Sequence, residues 1–96
     1  MRLQPNEKDL ILQSAHEIYG DGVRIYLFGS RTNDAQRGGD IDLLVRTEKE
    51  KQGVLARIRF IARMKELLGD QKIDVIGDHE NNHVVDEALK TGILLV

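Results

Sequence analysis

The sequence predicts a small α/β (α+β) domain in which helices flank a mixed sheet. Its 96 residues match the usual size of one domain. Segments with apolar residues at helical spacing alternate with short runs of β-forming residues, and glycines separate most of them. We therefore expect residues 1–96 to form a single domain of two layers, built around a partly parallel sheet.

The first half of the chain predicts one helix and two strands. Residues 6–19 carry an apolar face at helical spacing, and a Gly-Asp-Gly sequence follows them. Residues 23–28 are rich in β-forming side chains and predict a strand. Residues 31–39 contain no periodic apolar residue, so we expect a loop there. Residues 41–45 predict the second strand.

The second half predicts a long helix, a third strand and a last helix. The long helix covers residues 50–68, the strand residues 72–76 and the last helix residues 82–91. We expect the tail, residues 93–96, to add an edge strand. The stripe of the long helix that we expect to face the core consists of Val54, Ile58, Ile61, Ala62, Lys65 and Leu68.

Composition excludes several classes of protein. Without cysteine the chain has no disulfide, thiolate zinc site or cysteine nucleophile. No run of about 18 apolar residues occurs, so we expect neither a signal peptide nor a membrane span, and a cytoplasmic location. A net charge of −2, with two tyrosines, two phenylalanines and no tryptophan, argues against strong non-specific nucleic-acid binding. The small core is compatible with a partner subunit or a homodimer.

A glycine and a serine follow the first predicted strand. Gly29 lets backbone N–H groups approach a phosphate closely, because no Cβ intervenes, and Ser30 adds a hydroxyl donor. A Gly-Ser pair is also common in ordinary turns, and on its own the pair does not decide between the two interpretations.

Three aspartates lie on two of the predicted strands. Asp40 and Asp42 point to the same face because side chains alternate along a strand. Asp74 lies between two β-branched apolar residues, so it faces away from the core if they face toward it. A neighbouring strand can therefore bring Asp74 beside the other two, where the three carboxylates can bind Mg²⁺. The alternative is three solvated carboxylates on an exposed sheet face.

Together these motifs resemble the signature of the minimal nucleotidyltransferases of the DNA polymerase beta superfamily. The resemblance is carried by Leu-Phe-Gly-Ser-Arg at residues 27–31 and Asp-Ile-Asp-Leu-Leu-Val at residues 40–45. It implies the nucleotidyltransferase fold of the DNA polymerase beta type and ATP as the nucleoside triphosphate. The residues it implies as nucleotide-binding are Gly29, Ser30, Arg31 and Arg37, and those it implies as Mg²⁺ ligands and catalytic residues are Asp40, Asp42 and Asp74.

The resemblance also implies a biological setting. Minimal members of this family are often antitoxins that accompany a HEPN-type partner protein, and some transfer AMP to that partner. The alternative is a non-catalytic binding module of the same fold that neutralises a partner by contact. Basic residues outnumber acidic ones over residues 48–66, which is typical of a solvated helix face. A docking face for an acidic partner is the other interpretation of that segment.

Overall fold

The computed structural model describes residues 5–28, 41–69, 72–80 and 83–95. The helices and strands of these residues have the types and the order that the sequence predicts, with ends that differ by a few residues. The fold class is therefore confirmed. The elements are α1 (Pro5–Tyr19), β1 (Arg24–Phe28), β2 (Ile41–Arg46), a 3₁₀ turn (Lys49–Lys51), α2 (Val54–Leu68), β3 (Ile73–Gly77), α3 (His83–Thr91) and β4 (Ile93–Leu94). The predicted loop over residues 31–39 lies outside the described residues.

The four strands form one mixed sheet in the order β3-β2-β1-β4. Strand β1 is antiparallel to both of its neighbours, β2 and β4. Strands β2 and β3 are parallel, which requires a crossover connection, and α2 supplies it. The predicted edge strand at the end of the chain is β4, which is confirmed.

One face of the sheet packs against α1 and α2 and forms the larger core. Within it the ring of Tyr19 meets the ring of Phe60 edge-on, with 5.5 Å between their centroids. Burial raises the pKa of Tyr19, and the nearby Arg57 guanidinium opposes that rise. The strands contribute their alternate side chains to this core, which are Ile25, Leu27, Ile41, Leu43, Val45, Ile73 and Val75.

The opposite face of the sheet packs against α3. Leu44 is fully buried there with Val85 and Ala88, and the half-buried Tyr26 and Phe28 pack beside them. Helices therefore cover both faces, and the expectation of two layers was wrong. The sequence signal for helices on both faces is Leu-Leu-Val in β2, because a strand buried on both faces is continuously apolar rather than alternating.

Gly92 brings the end of α3 close to β1. A Cβ at this position would collide with the carbonyl oxygen of Ala88 and lie 3.2 Å from that of Leu27. The Gly92 N–H donates to the Ala88 carbonyl at 2.8 Å. The C-terminal end of α3 therefore lies beside the end of β1.

The buried face of α2 differs from the predicted stripe. Of the predicted stripe, Ile61 and Leu68 pack against the core, as expected. Phe60 and Met64 are fully buried, whereas Val54 and Ile58 keep 73% and 56% of their surface exposed. Ala62 is also exposed. Apolar residues occur on two sides of this helix, so helical spacing alone fits either side. The larger side chains face the core because they bury more apolar area.

Phe60 and Ile58 make a matched pair for testing which side of α2 holds the fold together. We expect Phe60→Ala to lower the free energy of unfolding by about 3–5 kcal/mol, because it leaves a cavity in the core. Ile58→Ala should change it by no more than about 0.5 kcal/mol, since the side chain is on the surface. Urea unfolding followed by circular dichroism measures both, and equal losses would contradict the orientation of α2.

Candidate functional site

Three neighbouring strands place one residue each in a single row across the sheet. Phe28 of β1 is paired with Asp42 of β2, and Asp42 is paired with Asp74 of β3. Residues paired in register point to the same face, and adjacent strands lie about 4.8 Å apart. The carboxylates of Asp42 and Asp74 are therefore immediate neighbours across the two strands.

The two aspartates point away from the larger core. Their chain neighbours Ile41, Leu43, Ile73 and Val75 are buried beneath α1 and α2. Because side chains alternate along a strand, the aspartates occupy the other face, on which α3 packs. The arrangement of Asp42 and Asp74 is the one that the sequence predicts.

We call the row of Phe28, Asp42 and Asp74 the acidic row. Its aspartates lie at the end of the region where α3 covers the sheet. Leu44 and Ile76, two residues further along β2 and β3, belong to the α3 core. By contrast Asp42 is half-buried and Asp74 is exposed. Phe28, the last residue of β1, is half-buried and ends the row on its other side. The carboxylates are thus open to solvent on one side and bordered by packed apolar side chains on the other.

Backbone hydrogen bonding fixes this pairing. The N–H of Ile41 donates to the carbonyl of Lys72 at 2.9 Å, just before the two strands begin their ladder. A slip of one residue would turn Asp74 toward the core and an apolar neighbour toward solvent. Burial of Ile73 and Val75 therefore selects the register that sets Asp74 beside Asp42.

Two carboxylates side by side repel each other, and a cation between them removes that repulsion. Like charges directly opposite on neighbouring strands destabilise a sheet. Carboxylate oxygens are the ligands that Mg²⁺ prefers, so the donor chemistry of Asp42 and Asp74 fits that ion. The described residues contain no group of three or more acidic or histidine side chains placed to bind a metal. The third predicted ligand, Asp40, lies outside them.

Five of the predicted site residues lie outside the described part of the chain, and their roles stay predictions. They are Asp40 and the four predicted nucleotide-binding residues, Gly29, Ser30, Arg31 and Arg37. In the sequence, Gly29 and Ser30 directly follow Phe28 of β1, and Asp40 directly precedes Ile41 of β2.

Phe28 is the residue in the row that the sequence analysis did not select. It was assigned to a strand, but its pairing with Asp42 depends on the antiparallel register between β1 and β2. The sequence offers one weak signal for the face that Phe28 occupies, because alternation puts it on the same side of its strand as Tyr26. Its ring forms part of the apolar border of the carboxylate pair.

A broad open groove of about 650 Å³ lies on the same sheet face, at the opposite end of the strands from the aspartates. Arg24 and Arg46 are paired across β1 and β2 and line it. Arg46 lies 3.5 Å from Asp78, which is also in the lining. His79 Nε2 lies 3.0 Å from the carbonyl oxygen of Thr47. The acidic and basic side chains offset each other, and the groove has no charge preference of its own.

Comparison with known proteins places the chain in a family. Residues 11–96 match the family model described as "Polymerase beta, Nucleotidyltransferase". The match includes all four strands, α2, α3 and both Asp42 and Asp74. A search of curated proteins finds no match. Within the described residues no helix is long and apolar enough to cross a membrane.

The paired aspartates predict a specific response to Mg²⁺. In millimolar MgCl₂ the melting temperature of the wild-type protein should rise, because binding to the folded state stabilises it by about 1.4 kcal/mol at ten times the Kd. We expect the Asp42→Asn, Asp74→Asn double variant to lose this response. Without Mg²⁺ it should melt at the same temperature as wild type or higher, since the repulsion is gone.

Asp86→Asn is the matched control for this experiment. Asp86 is an exposed acidic residue on α3, so its replacement removes a surface charge without touching the acidic row. Its Mg²⁺ response should equal that of the wild type. A double variant that is stabilised by Mg²⁺ as strongly as the wild type would contradict a metal site at Asp42 and Asp74.

Proposed function

The chain belongs to the polymerase beta nucleotidyltransferase family, and on that premise we propose that it transfers a nucleoside monophosphate, AMP from ATP, to a hydroxyl group. An acceptor oxygen bonds to the α-phosphorus of the triphosphate as the bond to the leaving pyrophosphate breaks. The hydroxyl proton passes to a base. Mg²⁺, when bound, supplies positive charge that stabilises the developing charge on the phosphate oxygens.

The roles of the residues follow the row of side chains across the sheet. Asp42 and Asp74 hold the cation, together with Asp40. Asp74 is on an outer strand of the four-stranded sheet and exposed, so it can accept the proton from an acceptor hydroxyl that arrives from solvent. Gly29 and Ser30 follow the strand that borders the pair, where they can hold the β- and γ-phosphates. Arg31 and Arg37 neutralise phosphate charge in the same proposal.

The observation that carries the proposal is the in-register pairing of Asp42 with Asp74. Aspartate is a poor strand residue, and two of them side by side repel. The resemblance of residues 40–45 to the family signature and this geometry support the same residues, although one rests on the sequence and the other on strand pairing.

A partner protein is the acceptor that we propose. By the resemblance described above, the partner is a HEPN-type protein, and the chain is the antitoxin of a HEPN/MNT toxin-antitoxin pair. The alternative function is a non-catalytic binding module of the same fold. The exposed apolar side chains at the start of α2 favour some form of protein contact, and they are compatible with either function.

Substitutions at Gly29 and Ser30 test the phosphate cradle. Ser30→Ala removes one hydroxyl donor, which contributes about 0.5–1.5 kcal/mol, so ATP affinity should fall by about tenfold or less. Gly29→Val places a branched side chain where the backbone must approach the phosphate, and its loss should be clearly larger. Calorimetric titration with ATP and Mg²⁺ measures both. Wild-type affinity in both variants would show that the cradle is elsewhere.

Transfer to a partner separates the enzyme from the binding module. Incubation with ATP, Mg²⁺ and a cognate HEPN-type partner should add the mass of one AMP to the partner, measured by intact mass spectrometry. Asp74→Asn should abolish the addition, because it removes both a metal ligand and the base. Asp86→Asn should retain it. If Asp74→Asn protein neutralises the partner fully and no reaction changes the mass, the binding module is correct and the transferase is wrong.

A further inference from the structure

Helix α2 presents a second apolar surface on the side away from the core. Val54, Leu55 and Ile58 have 73%, 61% and 56% of their surface exposed, and Ala62 is exposed one turn further along. We call these four residues the outer face of α2. They are on the opposite side of the helix from Phe60 and Met64, the residues that reach the core. Helix α2 is therefore apolar on two sides, although only one contacts the rest of the described chain.

The start of α2 is held firmly in place by the turn after β3. Gln52 donates to the carboxylate of Asp78 at 2.6 Å. One turn into the helix, Arg57 donates to Glu80 at 2.7 Å. Glu80 in turn accepts a hydrogen bond from the N–H of Gly77 at 3.1 Å. The outer face is thus fixed before any partner arrives, which lowers the entropic cost of binding.

Two exposed basic side chains of α2 adjoin the outer face. Arg59 is four residues after Leu55 and Lys65 is three residues after Ala62, so both lie beside the face on the helix surface. Glu66 is the one acidic residue of α2, and Arg57 and Arg63 have the carboxylate partners Glu80 and Glu17. In the turn before α2, the exposed Lys49 and Lys51 are offset by the exposed Glu48 and Glu50. The free basic side chains beside the outer face therefore outnumber the acidic ones, in a chain whose net charge is −2.

We propose that the outer face of α2 docks an acidic amphipathic helix of a partner protein. Such a helix buries its apolar stripe against Val54, Leu55 and Ile58, in the manner of helix-to-surface recognition. Its flanking carboxylates meet Arg59 and Lys65. Opposite charge on the two surfaces speeds association and selects the partner.

A second copy of this chain fits the outer face poorly. Two α2 helices packed antiparallel about Ile58 would set Arg59 opposite Arg57 of the other copy and Lys65 opposite its Lys51, so basic residues would face each other. A stable interface also needs about 800 Å² from each partner, which three aliphatic side chains do not supply alone. An acidic helix meets both conditions, because it complements the charge and contacts the surrounding side chains as well.

The outer face is remote from the acidic row. It lies on the side of the sheet that α1 and α2 cover, and at the carboxyl end of β3, where Asp78 and Glu80 contact the start of α2. Asp42 and Asp74 are on the other face, near the beginning of β2 and β3. The inference therefore depends on neither metal binding nor nucleotide transfer, and binding here leaves the carboxylates accessible.

The test uses a synthetic peptide and neither nucleotide nor metal. The probe is a stapled helix with leucines along one side and glutamates on its flanks, and a companion peptide has lysine in place of each glutamate. Titration into ¹⁵N-labelled protein should shift the backbone amides of residues 49–65 with the glutamate probe. The lysine peptide should bind at least about tenfold more weakly.

Variants on the outer face and at a separate exposed apolar residue, Ile93 of β4, provide the control. Leu55→Ser combined with Ile58→Ser should weaken the glutamate probe by about tenfold or more, because two apolar contacts are lost. Ile93→Ser, which changes an exposed apolar residue of β4, should leave its affinity unchanged. Arg59→Glu combined with Lys65→Glu should reverse the preference between the two peptides.

Three results would overturn the proposal. The first is no binding of the glutamate probe, or equal binding of both peptides. The second is a set of shifts outside residues 49–65 that the Leu55→Ser, Ile58→Ser variant leaves unchanged. The third is self-association in sedimentation velocity that the same double variant abolishes, which would assign the outer face to a second copy of the chain.

Discussion

The parallel pairing of β2 with β3 is the interaction on which the rest of the structure depends. Parallel neighbours cannot be joined by a tight turn, so the chain must cross over the sheet, and α2 is that crossover. Its register is held by the hydrogen bond from Ile41 to the Lys72 carbonyl and by burial of Ile73 and Val75. The same register places Asp74 beside Asp42. The core and the candidate site are therefore two consequences of one strand pairing, and neither can shift without the other.

Helix α3 divides the second face of the sheet into a packed part and an open part. Tyr26, Phe28 and Ile76 pack around the cluster that it forms with Leu44, while Asp42 and Asp74 lie beyond this packed region. Gly92 permits the tight approach that carries the chain from α3 into β4 at the edge of the sheet. Among the described residues, α3 leaves Asp74 exposed and Asp42 half-buried. Apolar side chains border the carboxylates on one side, which strengthens the interaction of these charges with a cation.

Sequence reasoning predicted the elements and the sheet face on which Asp42 and Asp74 lie because both depend on local periodicity, whereas their pairing depends on which strands are neighbours. A period of two residues assigns each side chain of a strand to one face, and buried isoleucine and valine beside Asp74 leave it a single choice. The same reasoning succeeded for Ile61 and Leu68 of α2 but failed for Val54 and Ile58, which fit helical spacing as well as Phe60 and Met64 do. Which side is buried is decided by tertiary packing. The third layer was missed for a related reason, because Leu44 was taken as part of one apolar strand run rather than as a contact for α3.

The acidic row and the outer face of α2 lie on opposite sides of the sheet and differ in chemistry. Carboxylates attract cations, whereas the outer face is apolar and has Arg59 and Lys65 beside it. Were both on one face, these basic side chains would compete with a metal for the aspartates. In the two proposals made above, a partner helix and a nucleotide would therefore occupy different sides of one sheet. The rigid sheet, rather than a second domain, would then fix the distance between them.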